Sequence, residues 1–110
     1  MQKSDAIDDA VPAFYDRRQK WLDFVSERDG IGHAAFRVGY FLARRMNGRD
    51  KCCWFSVPEI ARRIGASEGR RAVSTRTVSD GIGELEKQGL LVVVRRPGRP
   101  STYFLRFPFE

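Results

Sequence analysis

Apolar residues recur along the chain at spacings that change from helical to alternating. From Pro12 to Gly30, Phe14, Trp21, Phe24 and Val25 fall on one side of a 3.6-residue repeat, while Asp16, Arg17, Lys20, Asp23 and Glu27 fall on the other. Pro12 suits a first helical turn, where its missing N–H is not needed, and Asp29-Gly30 reads as a stop. The pattern predicts an amphipathic helix over residues 12–29 behind a flexible N-terminus of residues 1–11. Ile31, Ala35, Val38, Leu42 and Met46 form the stripe of a second helix that Asn47-Gly48 ends.

The next elements are shorter. Cys52-Cys53-Trp54-Phe55 reads as a small strand, and Ser56 with Glu59 three residues on is a capping box, in which each side chain satisfies a backbone N–H of the other. A short helix burying Ile60, Ala61 and Ile64 follows, ending at Gly65. Residues 66–73 are polar, basic and glycine-containing, an extended turn. Ser74 is the expected N-cap of a helix through Gln88, stopped by Gly89. Val78, Ile82 and Leu85 make its buried stripe, and a turn of 100° per residue puts Arg76, Asp80, Gly83 and Lys87 opposite. Residues 90–96 and 102–107 are rich in Val, Tyr and Phe around Pro97-Gly98-Arg99-Pro100, a β-hairpin pattern. The fold class expected is α+β, mainly helical.

Composition narrows the chemistry. No run approaches the ~18 apolar residues of a membrane span, and the acidic opening MQKSDAIDDAVP lacks the apolar core of a secretory leader, so a soluble, cytoplasmic protein is expected. One histidine, His33, and the adjacent Cys52 and Cys53 cannot complete a four-ligand zinc site. The thiols are expected to be reduced, and His33 to lie on a helix surface or half-buried. Residues 65–71 lack the Gly-Lys-Ser/Thr ending of a phosphate loop, and no Ser, His and Asp arrangement or apolar carboxylate pair is visible. The expectation is a binding protein with no catalytic residues, cofactor or metal.

Charge then points to a partner. The net charge is +6, but residues 1–30 hold five basic against seven acidic residues, whereas residues 31–110 hold fifteen against seven. Sixteen of the twenty basic residues are arginine, whose planar fork matches phosphate and guanine. A polyanion is the expected ligand.

Trp54-Phe55-Ser56, Ile60-Ala61, Gly65, Arg76-Thr77-Val78, Glu84-Leu85-Glu86, Gly89-Leu90-Leu91 and Gly98-Arg99-Pro100 with Ser101 and Tyr103 carry a likeness. Over residues 31–107 the chain resembles the winged helix-turn-helix DNA-binding domains of bacterial regulators and of plasmid and phage replication proteins. The resemblance implies a three-helix core with a C-terminal β-hairpin wing, here with an extra N-terminal helix. The turn of residues 66–73 is longer than the family's. The family's third helix enters the major groove, which carries the DNA surface onto Ser74, Thr75, Arg76, Thr77, Ser79 and Asp80. Arg76 becomes the base reader and Asp80 its orienting partner or an acceptor from cytosine. Lys87, together with Arg70 and Arg71 of the long turn, adds basic contacts. Gly98-Arg99-Pro100 resembles the core of an AT-hook, which implies Arg99 at the minor groove with Arg95 and Arg96 at phosphates.

The function expected is a sequence-specific double-stranded DNA-binding protein, a transcriptional regulator. A replication, partition or excision protein of a plasmid, phage or integrative element uses the same residues, and a winged-helix protein-interaction module is the third reading. A homodimer is expected, with residues 12–29 as its arm or as a surface for another protein.

Overall fold

The computed structural model describes the backbone of residues 3–64 and 73–110, with side chains from residue 10 onward. Residues 65–72, which include Arg70 and Arg71 of the long turn, lie outside the described residues. Among those described, four helices and a three-stranded antiparallel sheet form a mostly helical α+β fold. Their order is α1 (Lys3–Glu27), α2 (His33–Arg44), β1 (Cys53–Phe55), α3 (Val57–Arg63), α4 (Thr75–Lys87), β2 (Leu91–Arg96) and β3 (Arg99–Leu105).

The first helix differs from its sequence reading. It starts at Lys3 rather than Pro12, so residues 3–11 are helical and Pro12 lies inside the helix. Pro12 removes one backbone donor but its φ is already helical.

The apolar stripe of α1 faces inward, as its periodicity predicts. Phe14, Trp21, Leu22 and Val25 are buried within the chain's own core. Trp21 has no exposed surface and donates its Nε1–H to the Leu90 carbonyl at 3.0 Å. Gly39 of α2 makes room for it, since a Cβ there would lie 3.0 Å from the indole ring and 3.2 Å from Leu85 Cδ1. The C-terminal residues cross the same helix. Arg17 donates to both Glu110 carboxylate oxygens at 2.6 Å and lies 3.9 Å over the Phe107 ring, while Phe24 meets Phe109 at 5.3 Å.

The other stripes are buried where the periodicity puts them: Ala35, Val38, Leu42 and Met46, then Ile60, Ala61 and Ile64, then Val78, Ile82 and Leu85; Ile31, expected to open the second stripe, precedes α2 and is half-buried, and Met46 follows its end. Phe41 and Ala43 join them. Helices α2 and α4 cross closely at Gly81, where a Cβ would be 3.2 Å from Ala35 Cα. Ser56 caps α3 by accepting from the Glu59 N–H at 3.3 Å. The Glu59 side chain turns instead to Arg62, at 2.7 and 3.1 Å, so the capping box is half formed.

The sheet has the order β1-β3-β2, with Cys53 opposite Tyr103, Leu91 opposite Leu105 and Val94 opposite Thr102. Strand β3 begins at Arg99, not Thr102, so the hairpin turn contracts to Pro97-Gly98. Pro97 followed by Gly98 at φ +70° is the residue pattern of a type II turn. The register slips between Val94 and Arg96, a bulge beside which Pro100 needs no ladder N–H.

Candidate nucleic-acid interface

Helix α4 presents the principal polar surface. Its start is fixed by Ser74, whose hydroxyl accepts from the Thr77 N–H at 3.0 Å and lies 2.8 Å from the Thr77 hydroxyl. Ser74 and Thr77 are thus engaged in holding the first turn, and Thr77 is half-buried. Thr75, Arg76, Ser79 and Asp80 project outward from the same turns. Arg76 is 92% exposed, with Nε 3.9 Å from Asp80 Oδ2, at the outer limit of an ion pair. Gly83 and Lys87 continue the exposed stripe, and a Cβ on Gly83 would meet open space. Lys87 sits about 16 Å along the axis from Arg76, at a rise of ~1.5 Å per residue. The two cannot serve one base step.

The hairpin sorts its arginines by the side of the sheet. Arg95 follows Leu91 and Val93 toward α4, where its terminal nitrogens donate to both Glu86 oxygens at 2.7 and 3.1 Å. That charge-assisted pair raises the Arg95 pKa and ties the hairpin to the helix. Arg96 and Arg99 are exposed, directly opposed in the β2–β3 ladder, and form no ion pair among the described residues. Like charges directly opposite one another destabilise an antiparallel pair. An anion at this point would relieve that repulsion.

The structure adds basic residues that the sequence reading passed over. Arg37 of α2 lines a small cavity with Ile64, Val73 and Thr77, so it adjoins the first turn of α4. Arg37, Arg45 and Arg63 also border an open groove of about 420 Å³ with Phe36, Tyr40, Phe41 and Ile64. Arg45 lies 3.7 Å over the Phe41 ring, and partial burial together with the nearby Arg63 guanidinium lowers its pKa. Arg37, Tyr40 and Arg44 fall at i, i+3 and i+7, an exposed helical stripe that the sequence could have revealed.

The thiols offer no evident reactivity. Cys53 is buried, and desolvation, with Cys52 beside it, pushes its pKa up to about 12. Cys52 is raised too, by burial and then by Asp50. Both thiols are free, and His33 is exposed at the start of α2. Among the described residues no group of three His, Cys, Asp or Glu side chains is placed to hold a metal ion, and no helix is long and apolar enough to cross a membrane. Comparison of the chain with protein families, with curated proteins and with solved structures found no match.

Proposed function

We propose that the chain binds double-stranded DNA sequence-specifically, as a winged helix-turn-helix protein acting as a transcriptional regulator. In this reading α3 and α4 form the helix-turn-helix and the β2–β3 hairpin is the wing. The element order from α2 onward and the β1-β3-β2 sheet are compatible with it. The observation that carries it is the opposed pair Arg96 and Arg99, unanswered by any described carboxylate, on a hairpin anchored to a helix whose N-terminal half is exposed and polar.

The roles follow from that geometry. Arg76, loosely held by Asp80, reads a base edge, and Thr75 and Ser79 flank it. Ser74 and Thr77 preset the helix start. Arg37 and Arg63 meet phosphates beside the helix, and Arg96 and Arg99 meet them at the wing; Arg99, expected in the minor groove, stands opposite Arg96 in the ladder, and two adjacent guanidiniums suit a phosphate. Arg95 positions the wing. A homodimer remains part of the proposal, but a partner of α1 meets the face opposite the buried Phe14, Trp21, Leu22 and Val25.

Selection of bound duplexes from a random pool, followed by anisotropy titration of the recovered site over a salt series, is the test. Affinity should fall steeply with salt, and Arg76→Ala should flatten sequence preference. Half-sites one helical turn apart would report a dimer. Affinity that ignores salt, or a pool from which no motif emerges, refutes the reading.

A further inference from the structure

The outer face of the sheet is apolar and carries an open cleft. Side chains alternate across strands, so Cys53, Tyr103, Leu91 and Leu105 enter the core while Trp54, Val92, Val94 and Phe104 face outward. Trp54, at 55% exposure, is the most exposed large hydrophobic side chain among the described residues. Its cross-strand neighbour is the small Thr102, which leaves the indole uncovered on that side. Trp54, Arg96, Arg99, Pro100 and Thr102 line a cleft of about 300 Å³.

We propose that this cleft also takes an unpaired nucleotide of single-stranded DNA, its base on Trp54 and its phosphate at the same Arg96 and Arg99 that meet duplex phosphates, so that the two ligands compete for the hairpin. The proposal extends the DNA-binding reading above and rests on its polyanion chemistry. A base inside a duplex already has neighbours on both faces, whereas an unpaired base has a face to give to an indole. Base–aromatic stacking tolerates any sequence because every base has a π-face, and it works beside a basic groove that follows the backbone. Both parts are present: an exposed flat ring and two opposed guanidiniums with no described acidic partner. A second copy of the chain fits less well. The outward positions of the three strands hold no Asp or Glu, so two copies meeting on this face would bring arginines together unanswered.

The test titrates the full chain with a ten-nucleotide oligothymidine and, separately, with the blunt duplex recovered by selection. The oligonucleotide should quench tryptophan fluorescence. Trp54→Phe, which leaves only the fully buried Trp21, should abolish the quench while keeping oligonucleotide affinity within about threefold. Trp54→Ala should weaken oligonucleotide binding by about tenfold or more and leave duplex affinity within about twofold. Duplex binding without oligonucleotide binding overturns this site alone, and oligonucleotide binding without duplex binding overturns the duplex reading alone. Equal loss of both ligands in Trp54→Ala, or a concentration-dependent dimer in sedimentation that Trp54→Ala abolishes without DNA, also overturns the site.

Discussion

Three arginines stand in or next to the β2–β3 hairpin, and under the proposed function only two meet phosphate. Arg95 is bound through both terminal nitrogens to Glu86, at 2.7 and 3.1 Å, with the carboxylate 30% exposed. The pair is close to neutral seen from outside, and at a surface it is worth at most about 1 kcal/mol. Each phosphate neutralised by a free cation contributes a slope of about −0.9 to log K against log salt. Over a fourfold rise in salt that is roughly a 3.5-fold loss of affinity per contact. Arg96→Ala and Arg99→Ala should each flatten the slope by about 0.9. Arg95→Ala alone is a poor probe because it leaves Glu86 as an unpaired negative charge. The charge-neutral double variant Glu86→Gln/Arg95→Ala should instead keep the slope within about 0.3, and Glu86→Gln alone should steepen it by about 0.9 as Arg95 is released. The assay is fluorescence anisotropy on one duplex at five salt concentrations. A double variant that flattens the slope as much as Arg96→Ala would show that Arg95 touches phosphate, and would refute the neutral-pair argument.

Four more outcomes can be measured. Arg76→Ala should cost about 1–3 kcal/mol of discrimination at one base position, read by competition between duplexes; uniform weakening across sequences would make it a phosphate contact. Gly83→Ala should stabilise the fold by about 0.5–1 kcal/mol in urea titration, because its Cβ meets open space in a helix interior, while weakening duplex binding if DNA approaches there. A Trp21→Phe and Gly39→Ala cycle should show coupling of about 1 kcal/mol or more, since the smaller ring vacates the space the new methyl needs; additivity within about 0.5 kcal/mol would mean the two do not interlock. With the Cys53 thiol raised from 9.0 to about 12, the folded state keeps a proton that the unfolded chain releases. Stability should be intact below pH 9 and fall above it by up to about 1.4 kcal/mol per pH unit. Cys53→Ala, followed by urea midpoints at pH 8 and 10, should reduce that loss.

The helix stripes were legible because a buried side in a 3.6-residue repeat needs only local sequence. Val78, Ile82 and Leu85 are buried, with Arg76, Asp80, Gly83 and Lys87 exposed opposite them. Ser74 was recognisable as a cap for the same reason, since its acceptor serves an N–H three residues away. The sequence understates the N-terminal helix because Pro12 marks a boundary by composition, yet one lost donor does not stop a helix whose packing is fixed further along. It understates strand β3 because Pro100 reads as a break, and only the bulge beside it makes that residue tolerable in a ladder.

The sequence alone therefore determined the kinds of element, their order, the buried stripes and the basic bias beyond residue 30, all properties of neighbours in the chain. Tertiary structure decided the rest through contacts between distant residues. It placed Trp21 against the carbonyl of Leu90, 69 residues away, which fixes where α1 packs in the core. It paired Arg95 with Glu86 and left Arg96 facing Arg99, which no count of charges distinguishes. It also set Trp54 beside Thr102, Arg96 and Arg99, because strand pairing, unlike helical periodicity, is settled by partners that lie far away in the sequence.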